Sequence, residues 1–134
     1  HMQACRLFQN TARVHFNQHV ESQGRHGRRI VYGGHLISLA RALSFNGLAN
    51  AQSIAAINAG RHVAPSFAGD TIYAWTEILD KQPLDNEVNV GALRLRTIAC
   101  KDRPCHDSPL MDEAGQYDPS VVLDFDYTVL LPRR

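Results

Sequence analysis

The sequence predicts an α+β fold in which one long apolar helix is wrapped by a curved antiparallel sheet. Residues 33–48 carry apolar side chains at helical spacing, with only a narrow polar line along the segment. Long strand-like runs follow this helix, and a helix followed by successive antiparallel strands is typical of an α+β domain. The sequence has no glycine-rich nucleotide fingerprint after a strand, no P-loop and no nucleophile elbow.

Length and composition favour one domain that does not bind nucleic acid. The 134 residues suffice for one core, so we expect residues 3–134 to form a single domain and His1 and Met2 to be remnants of cloning. The net charge of +1 lacks the basic excess of nucleic-acid-binding proteins. The three cysteines cannot all pair within one chain, and no signal peptide or long apolar run occurs. We therefore predict a reduced, cytoplasmic protein that does not enter a membrane.

The predicted central helix begins on two glycines. Gly33 and Gly34 permit the close approach of a backbone or a ligand, and the first N–H groups of a helix are free to face a negative charge. Asn46 and Gly47 predict a left-handed cap at the other end. A sheet wrapped on one such helix leaves apolar surface for a partner to cover, so we expect a homodimer or a higher homo-oligomer.

A short polar segment near the front of the chain carries candidate catalytic groups. Asn10 and His15 lie five positions apart in a predicted loop with one apolar anchor. An amide and an imidazole at this spacing can converge on one small volume, as chemistry on a bound thioester requires. The alternative is structural: Asn10 caps a turn and His15 lies on the surface.

A basic loop precedes the helix. Arg25, Arg28 and Arg29 lie within five residues of one another, and guanidinium groups match phosphate oxygens. The loop is therefore a candidate rim for the phosphates of coenzyme A, although a solvated basic loop explains it as well. Residues 30–32 form a short apolar run and predict a small strand leading into the helix.

The rest of the chain predicts a sheet with one excursion. Residues 71–79 and 120–131 alternate with period two. Aromatic residues on the second face of the former segment indicate that this face is covered as well, either by a neighbouring subunit or by the curvature of the sheet. Residues 102–118 are rich in turn-forming residues and predict a loop rather than a second domain. The remaining predictions are a strand at residues 53–58 continuing to 65 with a kink at Gly60, a strand at residues 88–101, and turns at residues 65–70 and 83–86.

Several short runs in this order resemble a known family. The sequence has Asn-Thr-Ala-Arg-Val-His at residues 10–15, Ile-Val-Tyr-Gly-Gly-His-Leu at 30–36, Ala-Pro at 64–65 and Phe-Ala-Gly-Asp at 67–70. This combination resembles the MaoC-like, or R-specific, enoyl-CoA hydratases, which have the hotdog fold. The likeness covers most of residues 6–133 and is greatest to the C-terminal half of family members that carry two hotdog units in one chain.

The resemblance implies roles for individual residues. His15 falls on the catalytic histidine of the family, Asn10 on its catalytic aspartate and Gly34 on the glycine whose N–H holds the thioester oxygen. Two departures are evident: Ala12 and Arg13 replace an Asn-Pro pair, and the amide of Asn10 cannot accept a proton at any working pH. An acid–imidazole pair is thus replaced by an amide–imidazole pair.

The resemblance also implies an activity. We expect a hydro-lyase that adds or removes water across the double bond of a short, branched or dicarboxylic enoyl-CoA, with no cofactor because coenzyme A is part of the substrate. In this hypothesis His15 deprotonates water, Asn10 holds it, and the Gly34 N–H stabilises the developing enolate. The sequence leaves the proton donor to Cα open.

Other residues are candidates for substrate binding. Tyr32, Gly33 and His35 lie at the helix start, and Arg61 and His62 lie near the predicted kink, where they would line a thioester tunnel. Structural roles are equally compatible with His35, Arg61 and His62. We expect no metal, because the group Cys100, Cys105 and His106 has no evident fourth ligand, and we interpret Asp124 and Asp126 as a solvated strand face.

Two further functions remain open at this point. A thioesterase would need a carboxylate near the helix start, and no acidic residue occurs between Ser22 and Gly69. A non-catalytic acyl-CoA-binding or oligomerisation module is compatible with Asn10 in place of the family's acid. Release of free thiol would indicate the first function, and binding of coenzyme A without hydration would indicate the second.

Overall fold

The computed structural model describes residues 1–51, 53–84 and 89–133. The helices are α1 (Met2–Leu7), a 3-10 turn (Arg13–His15), α2 (Gln18–Glu21), α3 (Gly33–Leu43) and α4 (Phe45–Leu48). The strands are β1 (Ser53–His62), β2 (Ile72–Pro83), β3 (Val90–Lys101) and β4 (Val121–Pro132). The turn predicted at residues 83–86 and the strand start predicted at Val88 lie in part outside the described residues.

The strands form one antiparallel sheet with the order β1-β4-β3-β2. This arrangement confirms the predicted α+β class, because the sheet has antiparallel neighbours throughout and α3 packs on it. The alternation of β4 also places Leu123, Phe125, Tyr127 and Val129 in the core, as predicted. The predicted solvated face is wrong for Asp124 and Asp126, which are half-buried because they pair with Arg96 and Arg94 of β3. Among the residues that the structure describes, no helix is long and apolar enough to span a membrane.

The core lies between α3 and one face of the sheet. Leu36 and Ala40 of α3 are buried in one cluster with residues of β3 and β4, among them Leu95, Phe125 and Tyr127. Burying a leucine-sized side chain stabilises a fold by about 1.5–3 kcal/mol, so this contact fixes the helix on the sheet. The start of α3, and with it the two glycines, is thereby held in place.

A chain of hydroxyl groups ties the end of α3 to the sheet. The Ser44 hydroxyl donates to the Ala40 carbonyl at 3.0 Å and lies 3.0 Å from the Thr76 hydroxyl. Thr76 is 2.9 Å from the Thr97 hydroxyl, which in turn is 3.2 Å from the Tyr127 hydroxyl. These contacts satisfy hydroxyl groups inside the core, where an unpaired polar group would be costly.

The excursion at residues 102–118 covers part of the second sheet face. Ile98 and Cys100 of β3 are buried beneath Leu110 and Tyr117 of this loop. The Trp75 indole N–H donates to the Pro109 carbonyl at 3.2 Å. The loop thus covers Trp75 of the aromatic face of β2, whereas Tyr73 on the same face is 37% exposed, so the predicted covering is partial and comes from a loop rather than from the curvature of the sheet.

The central helix differs from the prediction in its length and burial. It ends at Leu43, and a separate turn of helix, α4, follows after Ser44. The predicted left-handed cap at Asn46 and Gly47 is wrong, because neither residue has a positive φ angle. The helix is also covered on one side only, since Leu43 is 52% exposed and Phe45 64% exposed.

Two strand predictions also need correction. Residues 30–32 form no strand; the Ile30 N–H donates to the Val14 carbonyl at 3.2 Å and the Val31 N–H to the Ser66 carbonyl at 2.7 Å, so no ladder develops. The irregularity predicted at Gly60 occurs earlier in β1, with register shifts between Ile54 and Ala56 and between Ile57 and Ala59. Gly60 itself pairs regularly with Phe125.

Candidate active site

A cleft of about 620 Å³ lies where the start of α3 meets the end of β1. The 3-10 turn, the segment that leads into α3 and the residues after β1 form its walls. The lining residues are His15, Ile30, Val31, Tyr32, Gly33, Gly34, Leu36, Ile37, His62, Val63, Ala64, Pro65 and Ser66. The cleft thus brings together His15, Tyr32, Gly33, Gly34 and His62, five of the residues that the sequence identified as candidates.

The ring of His15 is held in one tautomer. Its Nδ1 lies 3.1 Å from the Ile30 carbonyl oxygen, and a carbonyl can only accept a hydrogen bond, so Nδ1 carries the proton. In the neutral ring the unshared electron pair is then on Nε2. The ring also packs on Tyr32, with centroids 5.5 Å apart. His15 therefore presents a basic nitrogen of fixed orientation from a half-buried position.

The start of α3 contributes two N–H groups without partners. Tyr32 caps the helix, and its carbonyl accepts from His35 and Leu36 at 3.0 and 3.2 Å. Within the described part of the chain, the N–H groups of Gly33 and Gly34 have no acceptor, as expected for the first turn of a helix. Helix N-termini favour negative charge, so these groups are suited to a thioester oxygen that becomes an enolate.

Both glycines are required by close ring contacts. A Cβ atom on Gly34 would lie 2.6 Å from the Tyr32 ring, which is well inside van der Waals contact. A Cβ atom on Gly33 would overlap the imidazole of His62. Because the two rings fill the space that a side chain would need, glycine at both positions lets Tyr32 and His62 pack directly against the helix start.

His62 ends β1 with its ring against the helix start. The residue as a whole is exposed, but partial burial of its ring lowers the pKa of His62 from its ordinary value, which favours the neutral form. The preceding residue, Arg61, points to the other face of the sheet, where it lies 6.0 Å from the ring of Tyr117 and lines a separate depression with Arg96. Neighbouring strand residues face opposite sides, so only one of the predicted pair reaches the cleft.

Asn10 lies outside the cleft lining. Its side-chain oxygen accepts a hydrogen bond from the Ala12 N–H at 2.8 Å, which closes a local turn. This is the arrangement that the structural alternative for Asn10 describes. His35, although close in sequence, is half-buried and also outside the lining.

The basic loop places its three arginines differently. Arg25 is exposed, and the Arg28 guanidinium stacks 3.9 Å above the ring of Phe67. Lys101 lies 5.7 Å from the same ring and donates to the Pro65 carbonyl at 3.1 Å. Arg28 and Lys101 thus flank a ring that follows directly on the cleft residues Pro65 and Ser66. Sequence reasoning missed Lys101, which is remote in the chain.

Arg29 has mainly internal contacts. Its guanidinium donates to the Phe16 carbonyl at 3.3 Å and to the Met2 sulfur, and its backbone N–H donates to Gln18 at 3.4 Å. These contacts hold the loop against α1 and α2. Arg29 is accordingly less available to a ligand than Arg25 or Arg28.

The described residues contain no group of three or more His, Cys, Asp or Glu side chains arranged to hold a metal ion. Cys100 is buried, and burial together with the neighbouring Cys100 thiol raises the pKa of Cys105 to about 12. At that pKa Cys105 is a neutral thiol at physiological pH, which does not favour a metal-binding thiolate. His106 is exposed on the loop.

Solved structures have the same fold. Over its whole length the chain superimposes on 38% of the crystal structure of a MaoC domain protein dehydratase from Chloroflexus aurantiacus, with a TM-score of 0.95 and 75% identity. The (R)-hydratase from A. caviae has a TM-score of 0.61 at 20% identity, over 98% of this chain and 84% of that one. The protein therefore has the hotdog fold of the MaoC-like dehydratases, which confirms the predicted fold and resemblance.

Sequence comparison identifies more particular relatives. The chain is 75% identical over 134 residues to the β-methylmalyl-CoA dehydratase of Chloroflexus aurantiacus. It is 55% identical over 133 residues to the mesaconyl-CoA hydratase of Cereibacter sphaeroides. It spans only 38% and 37% of the lengths of these two relatives. No family model matches the sequence.

Proposed function

We propose that this chain forms a hydro-lyase site that adds or removes water across the double bond of an enoyl-CoA thioester. The observation that carries the proposal is the cleft in which His15, with its Nδ1 proton held by Ile30, lies with the free N–H groups of Gly33 and Gly34. A base of fixed tautomer beside two unpaired donors supports proton transfer next to a developing enolate.

The reaction follows from these groups. In the hydration direction Nε2 of His15 takes a proton from water as the oxygen bonds to Cβ. The electron pair of the double bond then moves toward the thioester oxygen, where the Gly34 N–H, helped by Gly33 and the helix dipole, stabilises the charge. Each well-aligned donor of this kind contributes roughly 3 kcal/mol to transition-state stabilisation.

The names of the sequence relatives suggest the acyl chain. Both named relatives act on short C-methylated dicarboxylic CoA thioesters, as β-methylmalyl-CoA and mesaconyl-CoA are. We propose mesaconyl-CoA or a similar branched enoyl-CoA as the substrate here, with no cofactor beyond the coenzyme A that the substrate carries.

The charges beside the cleft support a position for the coenzyme A phosphates. Arg28 and Lys101 flank Phe67, and Arg25 is exposed on the same loop as Arg28. Among the described residues none of these three cations forms an ion pair. Unpaired guanidinium and ammonium groups bind phosphate without first breaking an internal salt bridge.

We further propose that the protein works as a homo-oligomer in the cytoplasm. Leu43 and Phe45 of the helical segment and Ile54 and Ile57 of β1 are exposed, with Ile57 67% exposed. An apolar surface of this kind favours association with another hotdog unit. Sedimentation analysis of the protein at micromolar concentration tests the oligomer, and a monomer at all concentrations would refute it.

Hydration of mesaconyl-CoA and crotonyl-CoA tests the proposed activity through loss of the conjugated thioester absorbance. His15→Gln should reduce kcat about 100-fold or more, because it removes the base, and His106→Gln serves as the control on an exposed histidine. No turnover by the parent, or equal turnover by parent and His15→Gln, would refute the hydratase.

The position of Asn10 favours one alternative. Since its carbonyl oxygen is engaged by the Ala12 N–H, the group that replaces the family's aspartate is unavailable in this geometry. A non-catalytic acyl-CoA-binding module is compatible with that. Micromolar coenzyme A binding by calorimetry, without any hydration, would support the module.

A further inference from the structure

Water addition needs two proton transfers, and His15 accounts for one of them. The other takes place at Cα, and Asn10 cannot provide it because an amide neither gains nor loses a proton at working pH. The described residues that line the cleft include two imidazoles, His15 and His62, and no carboxylate. His62 is therefore the candidate for the second transfer.

The two imidazoles reach the helix start through separate contacts. His15 packs on Tyr32, whose ring lies against Gly34, whereas the ring of His62 lies against Gly33. A thioester oxygen bound to the Gly33 and Gly34 N–H groups would consequently have the His62 imidazole beside Gly33, and the Tyr32 ring between Gly34 and the His15 imidazole. General acid–base catalysis requires this kind of proximity between the reacting carbon and the proton-transfer group.

The ring of His62 is free to exchange protons. Neither of its nitrogens has a hydrogen-bond partner in residues 1–51, 53–84 and 89–133, in contrast to the Nδ1 of His15. Burial against the helix start favours the neutral ring, which is the form that accepts a proton. The structure thus holds one imidazole with a fixed tautomer and one without.

We propose that His62 is a catalytic residue that removes and returns the proton at Cα, while His15 handles the proton of the water. This inference rests on the proposed hydro-lyase function and extends it by dividing the two proton transfers between two histidines. In this scheme His62, the last residue of β1, takes the role that the resemblance assigns to the family's aspartate, whose position Asn10 occupies here.

The proton balance closes without any further reactant. In dehydration neutral His62 takes the Cα proton, and the electron pair of that C–H bond forms the enolate at the glycine N–H groups. The enolate collapses to the double bond, the Cβ–O bond breaks, and the His15 imidazolium protonates the departing hydroxide to give water. One proton has moved from His15 to His62 by way of substrate and water, and exchange with solvent resets the pair.

Isotope exchange separates the two transfers. A saturated acyl-CoA of the same chain length, incubated in D₂O, exchanges its Cα hydrogen without water addition, and mass spectrometry follows the exchange. His62→Gln should lower kcat for hydration and the exchange rate about 100-fold each, with KM changed less than about threefold. His15→Gln should lose hydration but keep the exchange, and His106→Gln should match the parent in both. Imidazole added to His62→Gln should restore part of the rate.

The outcomes distinguish this inference from the proposed function. The parent is tested as the full protein that its organism makes. If it neither hydrates the enoyl-CoA nor exchanges the Cα hydrogen of the saturated acyl-CoA, the hydro-lyase function and the role of His62 are refuted together. A parent that hydrates, with His62→Gln exchanging as fast as the parent or with no imidazole rescue, overturns the role of His62 alone. Should circular dichroism show His62→Gln to be unfolded, His62→Phe keeps the ring packing without the nitrogens and is judged by the same rates.

Discussion

Replacing Asp124 with Asn should destabilise the protein far more than the same change at Asp126, two residues further along β4. The Arg96 guanidinium donates to the two Asp124 carboxylate oxygens at 3.0 and 2.7 Å, and the Tyr117 hydroxyl donates to one of them at 2.7 Å. This pair is largely covered, since the side chains of Arg96 and Asp124 are 27% and 13% exposed. In the second pair Asp126 is covered to a similar degree, at 15% exposure, but its partner Arg94 is 51% exposed, so the contrast lies in the two arginines.

The difference in exposure sets the expected magnitudes. Exposed ion pairs contribute about 0–1 kcal/mol, because water screens them, whereas losing one partner of a buried pair costs about 3–5 kcal/mol. Asp124→Asn leaves the Arg96 charge without a counter-charge in a half-covered site, so we expect a loss of about 2 kcal/mol. Asp126→Asn should cost less than about 1 kcal/mol.

The effect should depend on pH in a defined direction. The hydrogen bonds from Arg96, more than any other contact, hold the pKa of Asp124 below its usual value. A carboxyl whose pKa is lower in the folded state contributes its stability above the unfolded pKa of about 3.9 and loses it as pH falls through the folded pKa. The gap between the parent and Asp124→Asn should therefore narrow as the pH falls below about 4.

Urea unfolding followed by far-UV circular dichroism at pH 7 and near pH 3 measures both effects. Tyr117→Phe provides a finer test, because it removes only the hydroxyl donor and should cost about 1 kcal/mol. Equal free-energy losses for Asp124→Asn and Asp126→Asn, or a gap that does not narrow in acid, would contradict the reasoning from exposure.

Two other regions give separate predictions. Gly33→Ala should displace the His62 ring and lower the hydration rate about 10- to 100-fold, because small shifts in a site are costly. Gly47→Ala, where no atom lies within 4 Å, should instead raise the free energy of unfolding by up to about 1 kcal/mol without affecting the rate. Thermal unfolding measures the stability of the two variants, and the mesaconyl-CoA assay measures their hydration rates. The same effect of both substitutions on stability and rate would refute this reasoning. The Cys105 thiol, with its pKa raised to about 12, should react with an aromatic disulfide reagent at pH 8 at least about 100-fold more slowly than in urea-unfolded protein, and equal rates would contradict its burial.

The spacing of apolar residues predicted the main helix and strands of this fold, because that spacing determines which face of each element is buried. The start of α3 follows from two glycines and a helical apolar stripe, and β4 follows from its period of two. The end of α3 was not predictable in this way. Ser44 turns back to the Ala40 carbonyl and to Thr76, so a contact with β2 that lies far away in the chain ends the helix.

The short segment before α3 shows the limit of apolar pattern alone. Residues 30–32 are as apolar as a strand, yet their N–H groups bond to single carbonyls of Val14 and Ser66. A strand requires a partner with a repeating ladder, and no local signal shows whether such a partner is present. For the same reason no local signal shows that residues 102–118, which have the composition of a loop, cover Trp75 of β2.

The motif at the front of the chain and the helix start lie in one cleft of the structure. His15, Tyr32, Gly33 and Gly34 line one cleft, as their order in the chain suggested. Arg61 and His62 were proposed together, although adjacent strand residues point to opposite faces, and that rule alone excludes one of them. Lys101 escaped notice because only the pairing of β2 with β3 brings it to Phe67.

The two register shifts in β1 have a consequence for how this chain tolerates insertion and deletion. They precede His62, so they determine which side chain at the strand end faces α3. With the earlier register kept, loss of one residue between the shifts and the strand end would move His62 to the place of Arg61, on the other face of the sheet, and Val63 to the place of His62, so the cleft would lose this imidazole. Point substitutions of the exposed β1 residues leave this parity intact, whereas a single-codon deletion in the strand inverts it.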